Sequence, residues 1–265
     1  MKISMITICL NSEATIERTI QSVLAQKNVD VEYIIVDGKS TDGTLDIVRK
    51  YGDGIAKVIS EKDKGISDAF NKGIRAATGD VVGIINSDDR LKEGALEHLA
   101  KVMKPETDVL FGHGIRDFQD GTGKRYCTDP DPDKLYESMT MVLPAVFIRR
   151  QAYEKYGLFD LSYRYIMDRE LLLRFLRSGA VFQYDDFYYA FYSMGGVSDK
   201  NYVNKLLPEK IRLNKSVGKT ELQCRIMYAK SVLIDKLVAL RSRLGLDHKR
   251  ESLEDVLKGI AAEGK

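Results

Sequence analysis

Val81-Val82-Gly83-Ile84-Ile85-Asn86-Ser87-Asp88-Asp89 is an apolar, β-branched run that stops in a polar turn carrying two adjacent carboxylates. Similar strand-like runs cover residues 3–10, 31–36 and 55–60, and the second and third lead to Asp37 and Asp63. Between them lie segments with helical spacing, such as Ile16, Ile20, Val23 and Leu24, with Asn11 or Ser12 as a start signal. Alternation of strand and helix predicts a right-handed α/β sheet. In an open parallel sheet the strand C-termini line one crevice, so Asp37, Asp63, Asp88 and Asp89 converge although they are far apart in the chain. That is a site for a metal and a nucleotide.

Each acidic loop has a functional and a purely structural reading. In Asp37-Gly38-Lys39-Ser40-Thr41-Asp42-Gly43-Thr44, Thr41 or Asp42 is placed to cap a helix running through Tyr51. Asp37 there either meets a ligand or braces the turn through backbone N–H groups. In the segment from Glu61 to Gly73, Gly65 permits a tight turn before a helix reaching about Ala77. Asp63 is suited to accept a hydrogen bond from a base N–H, whereas Asp68 and Asn71 read as polar groups of the helix itself. Asp88 and Asp89 repel each other unless a cation offsets their charge, and oxygen donors suit Mg²⁺ or Mn²⁺ better than softer metals. Solvated turns and helix starts also carry such pairs; the buried-type strand ahead of this one favours a site.

Several blocks recur in a fixed order. They are Thr7-Ile8-Cys9-Leu10-Asn11 with Ser22-Val23-Leu24-Ala25-Gln26, then Val36-Asp37-Gly38 with Ser40-Thr41-Asp42-Gly43-Thr44, then Asp63 to Gly73, and Ala77-Thr78-Gly79-Asp80 leading into Asn86-Ser87-Asp88-Asp89. Further on come Val146-Phe147-Ile148-Arg149-Arg150, Gly157-Leu158-Phe159-Asp160 and Met167-Asp168-Arg169-Glu170-Leu171-Leu172-Leu173-Arg174. In this order and spacing they resemble the family-2 glycosyltransferases of the GT-A fold, particularly those that build bacterial surface polysaccharides.

The resemblance covers about residues 1–198 and implies a Rossmann-like, mostly parallel sheet flanked by helices. It divides the chain into a nucleotide-binding half (1–115), an acceptor half (116–198) and a basic helical C-terminal extension (199–265). It implies that Asn11, Asp37 and Asp63 hold the nucleotide, Asp88 the ribose or diphosphate region, and Asp89 a divalent Mn²⁺ or Mg²⁺. Asp168 is similar to the family's general base. The implied reaction is inverting transfer of a sugar from a nucleoside diphosphate, UDP foremost, to a hydroxyl of a glycan or lipid-linked glycan.

Read without the resemblance, Asp168 is a first-turn helix carboxylate favoured by the helix dipole, since Leu171, Leu172, Phe175 and Leu176 continue an apolar face. Arg149, Arg150 and Arg174 read as surface ion-pair residues. Leu143 stands where related sequences often carry His, and its apolar side chain points to packing. The block Phe191-Tyr192-Ser193-Met194-Gly195-Gly196-Val197-Ser198 is either a loop that closes over the diphosphate or a plain turn leaving the domain.

Length and composition narrow the partners. A chain of 265 residues buries roughly three quarters of its unfolded surface. No apolar run approaches the length of a bilayer, and the opening apolar stretch breaks at Asn11-Ser12-Glu13, so it reads as the first strand and not as a signal peptide. Cys9, Cys127 and Cys224, like the three histidines, are scattered, which argues against a disulfide framework or a zinc site and for a reducing cytoplasm. The net charge of +2 conceals a net of +9 over residues 200–250. That segment carries Leu222, Ile226, Leu233, Leu237, Leu240 and Leu244 on one helical stripe, beside Arg225, Lys230, Lys236, Arg241 and Arg243. The stripe either rests on anionic lipid, at the inner face of the membrane, or packs on the catalytic domain or on a second subunit of a homo-oligomer. Nucleic acid is not an expected partner, because aromatic interleaving is sparse. Two other activities compete: a metal-dependent nucleotidyltransferase, against which the lack of a glycine-rich triphosphate turn argues, and a sugar-nucleotide or membrane-binding module without chemistry.

Overall fold

In a computed structural model, residues 1–118, 120–193, 203–243 and 251–263 are described. The chain runs β1 (Lys2–Cys9), α1 (Ile16–Leu24), β2 (Asp30–Asp37), α2 (Thr44–Arg49), β3 (Lys57–Ser60), α3 (Ile66–Ala76), β4 (Val81–Ile84), β5 (Arg90–Leu91) and α4 (Ala95–Val102). It continues through β6 (Val109–Asp117), β7 (Thr122–Tyr126), β8 (Val146–Arg149), α5 (Arg150–Tyr156), α6 (Met167–Arg177) and β9 (Phe182–Ser193). The extension forms α7 (Val203–Ser216), α8 (Glu221–Arg243), β10 (Glu251–Ser252) and α9 (Leu253–Glu263). The boundary expected near residue 198 and the loop residues Met194–Ser198 lie outside the described residues.

Side chains alternate across a strand, so a strand covered on both faces must be apolar throughout. That is the composition of these runs. Ile3, Met5 and Cys9 of β1 pack with Tyr33 and Ile35 of β2 on the face covered by α1, α2 and α4. Ile6, Ile34, Val36, Val82 and Ile84 point the other way, into a core shared with α3, α5 and α6. Gly73 lets α3 lie directly on β1, because a Cβ there would collide with Ile6.

The strand order is β10-β7-β6-β8-β4-β1-β2-β3, with β9 against β6 and β5 against β9. β3, β2, β1 and β4 are parallel, as expected, and their C-termini open on one edge. The second half adds β8 antiparallel to β4, and β6 and β7 antiparallel beyond it, so the whole sheet is mixed. The extension is not a separate appendage. β10 pairs with β7, and Val256 of α9 buries itself against Ile115, Tyr188 and Phe191.

The segment that leads into α6 is fastened along α3. Asn71, buried, accepts from the backbone N–H of Phe159 and donates to its carbonyl, both at 2.9 Å. One turn earlier on α3, the Ser67 hydroxyl donates to the carbonyl of Tyr163 at 3.0 Å. The chain therefore climbs α3 toward its N-terminus, the end at which the parallel strands finish. Asp68 and Asn71 have the structural roles expected of them: the Asp68 carboxylate accepts from the Lys64 N–H at 3.0 Å.

Replacing Asn71 with Ala strips partners from two buried backbone groups, so Asn71→Ala should cost about 2–4 kcal/mol in urea unfolding. A loss of less than about 0.5 kcal/mol, the range of ordinary surface substitutions, would show that this clamp does not hold the segment.

Candidate functional site

The loops after the four parallel strands are bonded to one another. Asn11, just past β1, takes a left-handed backbone (φ 51°). Its N–H donates to Ser40 Oγ at 2.8 Å, and its side-chain oxygen accepts from the Thr41 N–H at 2.8 Å. Ser12 donates its N–H to Thr44 Oγ1 at 2.7 Å, and its hydroxyl lies 2.8 Å from that of Ser87 in the turn after β4. The first turn of α1 is entered from the Ser12 carbonyl, which accepts from the Ile16 N–H at 3.0 Å. The N-cap of α2 is Gly43, one residue beyond Asp42 and two beyond Thr41, the residues expected to cap it; the Asp42 carboxylate accepts from the Thr44 N–H at 3.0 Å.

Asp37 has no exposed surface. Its carboxylate accepts from the Ser60 hydroxyl at 2.7 Å and from the Ser40 N–H at 3.1 Å. Parallel pairing puts Ser60 opposite Asp37, so β3 supplies the partner that seals it. Of the two readings open in the sequence, this geometry is that of the brace. Asp63 lies over Gly38, where a Cβ would come within 2.8 Å of its Oδ2. Lys72 of α3 donates to Asp63 at 2.6 Å and reaches Glu61 at 3.1 Å. Partial burial opposes the charge on Lys72, but these hydrogen bonds outweigh it and raise its pKa.

The turn after β4 carries the strongest electrostatic signal. Asp89 is buried; its Oδ1 accepts from the Ser193 N–H at 2.9 Å and its Oδ2 from Asn86 Nδ2 at 3.0 Å. Thr19 of α1 donates to the Asp89 carbonyl, and Ser193 Oγ to the Asp88 carbonyl, each at 2.7 Å. Burial first, and then the charge of Asp88, push the Asp89 carboxyl up to about 7. Burial also raises Asp88, with Arg18 opposing. Two neighbouring carboxylates that each resist ionisation are chemically suited to a cation that offsets their charge.

Hard oxygen donors of this kind fit Mn²⁺ or Mg²⁺. Among the described residues no group of three or more His, Cys, Asp and Glu side chains is arranged to hold a metal. Asp88 and Asp89 can therefore supply only part of a coordination sphere, which is the usual case for a divalent ion bound by one or two carboxylates together with a substrate's phosphates.

Asp168 is half-buried in the first turn of α6, where its Oδ1 accepts from the N–H of Arg169 at 2.7 Å. Burial raises its pKa, against the pull of those N–H groups and of the Arg169 charge. The extension holds this helix start. Glu209 of α7 accepts from the backbone N–H groups of Arg164, Tyr165 and Ile166 at 2.8–3.2 Å. Arg169 donates to Asn214 of α7 and to the Leu135 carbonyl, both at 2.9 Å. No local pattern in the sequence marks Glu209 or Asn214, and Ser193 is marked there only as part of the 191–198 block, not as a partner of Asp89.

Other motif residues serve the scaffold. Thr78 and Lys2 bond Glu32 at the opposite end of the sheet, and Asp80 accepts from the Lys2 N–H at 2.9 Å. Arg150 pairs with Glu154 as a surface ion pair. Arg149 departs from that expectation and donates to the carbonyls of Thr107 and Lys104. So does Arg174, which pairs with Glu170 and donates to the Tyr156 and Leu158 carbonyls, pinning the turn before Phe159. Leu143 packs against the core, as its apolar character suggested.

Comparison with known proteins agrees with this architecture. Residues 4–173 match the model of the family described as glycosyl transferase family 2. A "PGL/p-HBAD biosynthesis glycosyltransferase" of Mycobacterium bovis is 30% identical over 224 residues, covering 79% of this chain and 85% of that protein. Among solved structures, residues 1–349 of S. aureus TarS in complex with UDP-GlcNAc align with a TM-score of 0.65 at 19% identity, covering 87% of this chain and 71% of that one. A mannosyltransferase, PcManGT of Pyrobaculum calidifontis, in complex with GDP-Man and Mn²⁺, aligns with a TM-score of 0.60 at 16% identity, covering 99% of this chain and 80% of that one. With the family model spanning most of the chain and the strand-end crevice in place, this protein belongs to glycosyltransferase family 2, enzymes that move a sugar from a nucleoside-diphosphate sugar to an acceptor.

Proposed function

We propose that this chain transfers a sugar from a UDP-sugar to a hydroxyl of a glycan or lipid-linked glycan, with inversion at the anomeric carbon. The observation that carries this reading is the buried Asp89 beside the half-buried Asp88 in the turn after β4, its carboxyl pKa raised by burial and by the Asp88 charge and its position held by Ser193, Asn86 and Thr19. TarS 1–349 in complex with UDP-GlcNAc and PcManGT in complex with GDP-Man and Mn²⁺ share this fold, which supports the reading by analogy.

In this reading Asn11 and Asp63 meet the nucleobase, and Asp37 fixes the loop that carries the Gly38 surface beside them. Asp88 accepts from the ribose or faces the diphosphate, and Asp89 provides the metal ligand. A bound divalent ion would offset the charge that gathers on the departing diphosphate. Asp168 takes the proton of the acceptor hydroxyl while that oxygen attacks the anomeric carbon from the face opposite the leaving group. The C–O bond to the diphosphate breaks with its electron pair on the phosphate oxygen. Burial raises the Asp168 pKa, which strengthens it as a base.

Asp168→Asn should retain UDP affinity and lose turnover by about 10²- to 10⁴-fold. Full turnover in that variant would remove Asp168 from the role of base.

Because Asp89 must shed its proton to hold a cation, Mn²⁺ affinity in calorimetric titration should fall by up to about tenfold per pH unit below about pH 7. Affinity that stays level across that range, or survives Asp89→Ala, would contradict the assignment. The same shift has a stability signature. The carboxyl binds its proton more tightly folded than unfolded, so without metal its contribution is present in acid and is lost as pH rises from the ordinary carboxyl range through about 7. Asp89→Asn should cancel that loss, so that metal-free Asp89→Asn exceeds wild type above neutral pH by at most about 4 kcal/mol.

A further inference from the structure

The helix α8 is apolar on two sides. At 3.6 residues per turn, Cys224, Met227, Tyr228 and Val232 share one side. Cys224 is buried, the other three are half-buried, and Lys210 of α7 lies over the Tyr228 ring. Leu222, Ile226, Leu233 and Leu237 share the other side, where they are 68%, 46%, 58% and 51% exposed. Among the described residues this chain's own fold thus uses the first side and leaves the second uncovered, so packing on the catalytic domain does not account for Leu222, Ile226, Leu233 and Leu237.

Cations border the uncovered side. Arg225 and Lys230, both exposed, fall on either edge of it, and the sequence repeats that placement with Lys236, Arg241 and Arg243. Glu221 and Asp235, the acidic residues of the helix, fall away from the stripe on the wheel. Residues 200–250 as a whole carry a net charge of +9. A second copy of the helix laid on this face, in either direction, would set cation against cation along both edges. Nucleic acid would satisfy the cations and leave the leucines in water. An anionic bilayer surface satisfies both, since leucines sit at the acyl boundary while Lys and Arg extend to the head groups. Among the described residues no helix is long and apolar enough to cross a membrane, so the helix would lie in the plane of the surface.

We propose that α8 is an interfacial anchor: its Leu222, Ile226, Leu233 and Leu237 side enters an anionic lipid surface, with Arg225 and Lys230 at the head groups. The inference does not depend on the donor, the metal or the base assigned above.

The test is co-sedimentation of the full chain with vesicles of phosphatidylcholine alone and of phosphatidylcholine mixed with phosphatidylglycerol. Wild type should bind the mixed vesicles at least about tenfold more tightly than the neutral ones and be released by high salt. Leu233→Ser/Leu237→Ser should weaken binding to mixed vesicles by about tenfold or more, and Lys230→Glu by at least about fivefold, with thermal unfolding unchanged. If the double variant fails to fold, Lys230→Glu carries the test alone. Absence of vesicle binding, equal binding by the variants, or a concentration-dependent dimer that Leu233→Ser/Leu237→Ser abolishes would each overturn the proposal.

Discussion

Burial of the Asp89 carboxylate, with Asp88 beside it, is the constraint around which the strand-end turn is arranged. A buried carboxylate is costly unless something accepts its charge, and a second one beside it adds to the cost. Here the turn after β4 is held in that state from three directions: Thr19 of α1 grips the Asp89 carbonyl, Asn86 bonds its carboxylate from within the turn, and Ser193 reaches it from the far end of β9. The hydrogen bonds lower the Asp89 pKa without bringing it back to that of an ordinary carboxyl. The fold thus keeps a locally unfavourable arrangement in place, as sites that await a charged ligand commonly do.

The second half of the chain answers this with a different carboxylate, and the C-terminal extension supplies its support. Four backbone N–H groups at a helix start have no partner within the helix. Before α6 the donors at residues 164–166 are met by Glu209 from α7, while Asn214 takes the Arg169 guanidinium. Asp168 accepts from the N–H beside it, while the Arg169 guanidinium is bonded to Asn214 and to the Leu135 carbonyl. In the proposed reaction a carboxylate clamped by a full ion pair would be a poor base, and these bonds draw the guanidinium toward other partners.

Much of this was legible in the sequence, for a physical reason. Strands buried on both faces must be continuously apolar, so the runs ending near Asp37 and Asp88 could be found, while the half-exposed edge strand before Asp63 showed itself by its β-branched residues; parallel order then placed their ends together. What was hidden lies in contacts between distant segments. The seal on Asp37 comes from Ser60, which is its neighbour only through the register of β2 and β3. Ser193 and Glu209 carry no local signature, because their partners are backbone and side-chain groups more than 40 residues away. Arg149 and Arg174 looked like surface cations because charge is visible in a sequence and the carbonyls that receive it are not. The parallel half was likewise clear from its alternation, whereas the antiparallel turn at β8, which makes the sheet mixed, had no such rhythm.

The helix α3 connects the two carboxylate systems mechanically. On one side Lys72 grips Asp63 at the nucleotide edge; on the other, Ser67 and Asn71, one turn apart, hold the segment that leads to Asp168. Gly73 seats the same helix hard against β1, so it has little freedom to slide on the sheet. In the proposed reaction, a donor held by Asp63 and a base at Asp168 therefore share α3 as one reference. An attacking hydroxyl must approach within a few tenths of an ångström of a productive line, and a common helix achieves this with less accumulated error than two loops positioned independently. The polar face of α3 was read from sequence as ordinary helix chemistry, and locally it is. Its consequence for the proposed reaction arises because the one helix touches both the Asp63 loop and the segment that leads to Asp168.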